Sequence, residues 1–210
     1  MKSSKSPGEI FYHVGDLPDD VQFDSAIAID TETQGLNLQR DRVCVVQLSS
    51  GDGTAHLVHF PEPDYAAPNL KRVLSDPGLT KIFHYARFDV AVIRRDFQVM
   101  CTPVYCTKIA SKLVRTYTDR HGLKDLCREL LGIELSKEQQ SSDWAAPELS
   151  TAQQAYAAAD VQYLHALREK IESHLMRERR RELAAACFAF IPVRAELDLA
   201  GWAEDDIFHH

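Results

Sequence analysis

The stretch Ser25-Ala-Ile-Ala-Ile-Asp-Thr31, with Glu32 directly after it, decides how the rest of the chain is read. Residues 26–29 are apolar and β-prone, so 25–31 is expected to be a buried strand that ends in a carboxylate pair. Side chains alternate along a strand, which sends Asp30 and Glu32 out of the same face. Two carboxylates this close repel unless one takes a proton or a cation lies between them. Magnesium and manganese favour such oxygen ligands. A lone Asp-x-Glu pattern is common by chance, so a site requires further acids that converge on it.

Working outward, residues 43–49 (VCVVQLS) read as a second strand. The turn 50–54 follows, then a third strand at 55–60. Connections this short suit antiparallel hairpins. After the proline-rich stretch 61–68, residues 69–76 read as helix, 80–85 as a fourth strand and 87–96 as a helix. Residues 103–106 make a short strand, and helices follow near 107–117 and 122–131. Ser150-Thr-Ala-Gln153 fits a capping box and starts a long alanine-rich helix running through Tyr163, Leu164, Leu167 and Ile171. Hairpin strands first, then alternating strands and helices, predict an α/β fold with a mixed sheet flanked by helices. The 210 residues suit one domain spanning 1–210, with a C-terminal tail from about residue 187.

Two further pieces join the strand-borne pair. Asp89 closes His84-Tyr-Ala-Arg-Phe-Asp89 near a helix start, where an acid is also favoured simply by the helix dipole. Tyr156-Ala-Ala-Ala-Asp160 places a tyrosine and an acid on one face of the long helix. Taken together, the three pieces can surround one point. Asp30, Glu32, Asp89 and Asp160 can hold two divalent ions about 3.5–4 Å apart, the spacing used for in-line phosphoryl displacement. In that arrangement one ion activates a water, the other stabilises the leaving oxygen, and Tyr156 orients the water through a neutral hydroxyl.

Composition narrows the alternatives. No apolar run approaches the ~18 residues that span a bilayer, so no membrane partner is expected. The N-terminal residues 1–7 are short and polar and lack an apolar export segment. The cysteines number five and form no CxxC pair, which reads as reduced thiols in a cytoplasmic protein. A net charge of −7 argues against long non-specific tracking on nucleic acid, while leaving room for short substrates. The run Arg177, Arg179, Arg180 and Arg181 reads as a solvated helix face.

In that order, Asp30-x-Glu32, Asp89 and Tyr156-x3-Asp160 resemble the three motifs of the DEDD exonucleases, tyrosine subtype. Gln47, residues 137–144 (KEQQSSDW) and the segment from Tyr156 to Leu164 resemble RNase D in particular. Residues 107–113, 115–123, 139–146 and 196–208 look like the nano-RNase C family, a stand-alone RNase D-like group, and the resemblance runs from about residue 9. It implies an RNase H-like fold, Mg²⁺ or Mn²⁺ as cofactor, and 3′→5′ release of nucleoside 5′-monophosphates from short RNA, especially dinucleotides. A homo-oligomer, specifically a homo-octamer, is implied by the same resemblance. The rival readings are RNase D-like trimming of longer structured RNA, a DNA exonuclease, and an inactive nucleic-acid-binding module.

Further roles lie around the carboxylates, that of Leu36 by resemblance and the others by position and residue type. Leu36, four residues after Glu32, corresponds to a leucine that wedges against terminal bases. Thr33, His84 and Phe88 are candidates to line the substrate groove. Lys108, Arg115 and Arg120 are candidate phosphate contacts. Trp144 is either a stacking platform or a core anchor. The apolar residues of the tail, among them Phe188, Phe190, Ile191 and Trp202, either close the domain's own core or form a subunit contact.

Overall fold

Six strands among the described residues share one mixed sheet: β1 (Ile10–Val14), β2 (Ala26–Thr33), β3 (Val43–Ser49), β4 (Ala55–His59), β5 (Thr80–Phe83) and β6 (Val104–Cys106). The computed structural model describes residues 8–136 and 138–210. The polar residues 1–7 and Lys137 lie outside them. Strand order is β1-β4-β3-β2-β5-β6. β2, β3 and β4 form the expected antiparallel hairpins, while β5 and β6 extend the sheet in parallel from β2. β3 is buried throughout, which explains its unbroken apolar run.

β1 is an addition to the sequence reading. It pairs in parallel with β4 at the sheet edge, and its side chains are only partly covered. Ile10-Phe-Tyr-His-Val14 is β-prone but has no clean alternation, so its pattern alone is weak.

Helices cover both faces. They are α1 (Pro68–Ser75), α2 (Ala86–Phe97), α3 (Thr107–Val114), α4 (Leu123–Leu126), α5 (Thr151–Gln162), α6 (Leu164–Arg177) and α7 (Arg181–Leu197). Single π-helical turns follow α4, at Cys127–Leu131, and α7, at Asp198–Trp202. The main core joins Ile27, Ile29, Leu48 and Ile82 of the sheet to Leu70, Ile93, Leu167 and Ile171 of the helices. A smaller cluster on Cys44, Val45, Leu57, Leu149 and Ala157 surrounds Trp144.

Several boundaries differ from expectation. The long helix breaks at Tyr163 (φ −105°, ψ −5°) into α5 and α6. α5 lies over the strands and α6 packs on α3, so the chain bends where its packing partner changes. The capping box stands as expected: Gln153 N donates to Ser150 Oγ at 3.3 Å and Ser150 N to Gln153 Oε1 at 3.0 Å. The strand at 80–85 ends at Phe83, because Tyr85 is left-handed (φ 79°). The helix at 107 stops at Val114, where Arg115 leaves the helical path. The helix at 122–131 is α-helical only over Leu123–Leu126 before it widens.

The tail is partly buried. Phe188 packs on Tyr105 with ring centroids 4.6 Å apart, and Ile191 and Ala195 are buried. Leu183, Val193, Trp202 and Phe208 remain exposed. The five cysteines are unpaired. No helix among the described residues is long and apolar enough to cross a membrane.

Candidate active site

β2 delivers the first two acids. Asp30 pairs in register with Gln47 and Glu32 with Val45, so both carboxylates leave one face of the strand. α5 crosses beside them and brings Asp160. Oxygens of Asp30, Glu32 and Asp160 lie within 4.8 Å of one another. Asp89 stands in the first turn of α2 and is buried. Its Oδ1 accepts a 2.7 Å hydrogen bond from Thr31 Oγ1. The structure therefore gathers three predicted ligands at one point and braces the fourth beside them. Gln47 Nε2 lies 3.5 Å from Glu32 Oε1.

The electrostatics favour a cation among the acids. Burial pushes Asp30 well above the ordinary carboxylate range, and Asp89, Asp160 and Glu32 push it further. Burial raises Glu32 in the same way, helped by Asp160 and Asp89. Burial also lifts Asp89 to about 7, against the pull of the Thr31 hydroxyl. Asp160 rises by burial to about 7, with the Tyr156 hydroxyl favouring its charged form. Buried acids this close hold negative charge only with a cation among them. The donors are all oxygen, the chemistry that suits Mg²⁺ or Mn²⁺.

Burial and the charges of Asp160, Glu32 and Asp30 all raise Tyr156, which stays a neutral phenol at physiological pH. Its ring lies 6.0 Å from that of Trp144. Trp144 is 2% exposed and is anchored in the smaller core cluster.

A groove runs over the acids in two joined parts. One, of about 310 Å³, holds Asp30, Glu32, Tyr156 and Asp160 with His84, Lys108 and Lys124 along its walls. The other, of about 560 Å³, is lined by Thr33, Leu36, Tyr85, Phe88 and Trp144. Leu36 is 83% exposed. Its loop is tightly held: a Cβ on Gly35 would meet Asp41 Oδ2 at 2.3 Å, and Asp41 in turn accepts from Asn37 N. Thr33 Oγ1 donates to the Gly35 carbonyl. His84 Nδ1 lies 2.9 Å from Thr107 Oγ1, while Nε2 has no partner among the described residues. Burial and nearby Lys108 lower His84 to about 3, so the imidazole is neutral.

One expected phosphate contact is corrected. Arg115 is 1% exposed, and its guanidinium donates to Glu129, to Ser111 Oγ and to the Arg120 carbonyl. It braces the loop after α3 and lines neither part of the groove. Arg120 is exposed and lines neither part of the groove. Lys124 and Tyr85 were missed by the motif reading. Lys108 Nζ sits 4.3 Å from the centroid of the Tyr85 ring. The signal for Tyr85 was its place inside His84-Tyr-Ala-Arg-Phe-Asp89; Lys124 carried none.

A mixed sheet with a partly buried acidic cluster at the end of its central strand defines the RNase H-like class of phosphodiester-cleaving enzymes. Comparison with known proteins narrows this. The family described as 3′-5′ exonuclease matches residues 9–176. NrnC of Brucella melitensis bound to pGG is similar at 57% identity and a TM-score of 0.93, over 97% of this chain and 99% of that one. The same protein with bound Mg²⁺ is similar at 56% identity and a TM-score of 0.92, over 96% and 99%. Ribonuclease D of Acidiphilium cryptum is 33% identical over 159 residues, 76% of this chain and 40% of that protein. The chain thus spans about two fifths of the ribonuclease D relatives' length. It belongs to the 3′-5′ exonuclease family, in the RNase D-like branch that includes NrnC.

Proposed function

We propose that the protein is a divalent-metal-dependent 3′→5′ exoribonuclease that degrades short oligoribonucleotides, dinucleotides above all, to nucleoside 5′-monophosphates. The observation that carries this is the convergence of Asp30, Glu32 and Asp160 oxygens within 4.8 Å, at the floor of an open groove. The similar NrnC structures with pGG and with Mg²⁺ support the substrate class and the cofactor.

Asp30, Glu32, Asp89 and Asp160 are the residues that would hold two Mg²⁺ or Mn²⁺ ions. When bound, such ions supply Lewis-acid activation of water and neutralise charge on the leaving oxygen. The chain's own residues do the rest. Tyr156 keeps its proton and orients the attacking water by hydrogen bonding. Lys108 and Lys124 place positive charge along one wall, where a phosphate passes. Leu36, Thr33 and Phe88 fix the terminal nucleoside on the other side.

The single exonuclease domain is read as a homo-oligomer, an octamer by resemblance, acting in the cytoplasm. The exposed Leu183, Val193, Trp202 and Phe208 on α7 and the tail support a subunit contact. Light scattering on the purified protein tests the subunit count.

The test of function is a cleavage time course on 5′-labelled RNA of about two, seven and twenty nucleotides, with Mg²⁺, Mn²⁺ or EDTA. Asp160→Ala controls for contaminating nucleases. Rapid metal-dependent loss of the dinucleotide is expected. Efficient trimming of the longest chain that stalls before the dinucleotide would overturn the preference for short substrates. DNA of the same lengths reports the choice of sugar.

A further inference from the structure

The two parts of the groove share four lining residues, Asp30, Glu32, His84 and Gln140, and meet there. With the terminal nucleoside beside Leu36 and its neighbour beside Lys108 and Lys124, the bond to be cut lies at this junction. A phosphodiester there offers acceptor oxygens. Asp30 and Glu32 are themselves acceptors when ionised. His84 Nδ1 is engaged with Thr107 Oγ1, and its Nε2 is enclosed by protein. Gln140 is exposed, and its amide is bonded to no other described residue. Of the four it alone brings accessible N–H donors to the junction.

The turn that carries Gln140 is held from both sides. Ser142 N donates to the Gln139 carbonyl at 3.0 Å, and Ser142 Oγ donates to Gln139 Oε1 at 2.6 Å. The Asp143 carbonyl accepts Gln153 Nε2 at 3.0 Å, and Asp143 Oδ1 accepts Ala145 N at 3.0 Å. Trp144 then anchors the chain in the smaller core cluster. Gln153 also closes the cap of α5, the helix that carries Tyr156 and Asp160. One side chain thus supports both the helix that brings Asp160 and the turn that brings Gln140. The amide keeps its place relative to the acids without bonding to them.

We propose that Gln140 is a catalytic residue, its Nε2 donating a hydrogen bond to a non-bridging oxygen of the phosphate being cleaved. The proposal rests on the reading of the site as an exonuclease centre. Negative charge is spread over the non-bridging oxygens during in-line displacement, so a fixed donor there stabilises the transition state above the ground state. Gln140 neither gives up nor takes a proton. An amide suits this place because it donates without charge. A lysine or arginine would be drawn to Asp30 and Glu32 and would compete with the cation they need.

The test compares wild type, Q140A and Q140E on an RNA dinucleotide with Mn²⁺, and on its two phosphorothioates, each with sulfur at one non-bridging position. Q140A is expected to lower kcat about thirtyfold with KM within about threefold. Q140E keeps the shape, deletes the donor and lowers kcat at least as far. The melting temperature of Q140A and its Mn²⁺ affinity by calorimetric titration stay at wild-type values. One of the two thio effects shrinks at least about fivefold in Q140A, because the bond that sulfur weakens is already gone, and the other stays. Unchanged kcat in either variant overturns the proposal, as does a loss confined to KM. Lost Mn²⁺ binding in Q140A overturns it too, since the residue would then act on the ions. A lower kcat with both thio effects intact overturns it and places Gln140 in the shape of the turn. If Q140A melts early, Q140E and its thio effects decide alone. Wild type that leaves the dinucleotide intact with Mg²⁺ and Mn²⁺ overturns the functional reading itself, which separates the two failures.

Discussion

Thr31 on β2 and Asp89 on α2 are joined by a buried 2.7 Å hydrogen bond from hydroxyl to carboxylate. The bond crosses from the strand that carries Asp30 and Glu32 to the helix that carries the second motif. It lowers the proton affinity of Asp89 and removes one rotational freedom from its carboxylate. Thr31→Val keeps the shape and deletes the donor. A stability loss of about 1–2 kcal/mol is expected, with a larger effect on turnover, about tenfold in kcat. Urea unfolding and steady-state kinetics check both. An unchanged kcat would show that Asp89 is held without Thr31.

Asp160 brings the helix-borne oxygen to the acidic cluster. Asp160→Ala should reduce kcat about a thousandfold or more. The same change removes one buried, mutually repelling acid, so the melting temperature in EDTA should rise. Calorimetric titration with Mn²⁺ should show lost binding. Wild-type turnover from this variant would falsify the ligand assignment.

Tyr156 separates structure from chemistry. Its ring is half-buried against Trp144, and only its hydroxyl faces Asp160. Tyr156→Phe should melt like wild type and lose about a hundredfold in kcat, with KM little altered. Equal rates for both proteins would remove the hydroxyl from the mechanism.

The pH dependence of the metal-free protein follows from the raised acids. Asp89 and Asp160 titrate at about 7 in the folded chain and start from an ordinary value of 3.8. Between these values the folded state binds more protons than the unfolded state. The stability they contribute is complete below the lower value and is lost as pH rises through the higher one. In EDTA, the melting temperature should therefore fall between about pH 4 and 8 on their account. Mn²⁺ should raise it, and more strongly at the higher pH, because binding displaces protons. A metal-free melting temperature that climbs over this interval would contradict the assignment.

Leu36 stands in water at the tip of its loop, 83% exposed. Leu36→Ala should leave stability unchanged and weaken dinucleotide binding about tenfold, the effect of losing apolar contact with a base. Titration of the Asp160→Ala background with dinucleotide measures this without turnover. Identical affinity with and without the leucine would reject the wedge.

How much of this was legible beforehand depends on the range of the forces involved. The same-face placement of Asp30 and Glu32, the one-turn spacing of Tyr156 and Asp160, and the Ser150–Gln153 cap follow from steric rules between near neighbours. Those rules act within a few residues, so the sequence by itself determined them, together with the hairpins of β2, β3 and β4. The remainder rests on partners far along the chain. Arg115 looks like a phosphate contact until Glu129 covers it, and Trp144 looks free until Cys44, Leu57 and Ala157 surround it. The long helix breaks at Tyr163 because α5 and α6 serve different neighbours. Arg87 and Asp198 are 111 residues apart, and no local pattern announces their pairing. Only the tertiary structure decided these features, because burial and charge pairing are set by whichever surfaces the fold brings together.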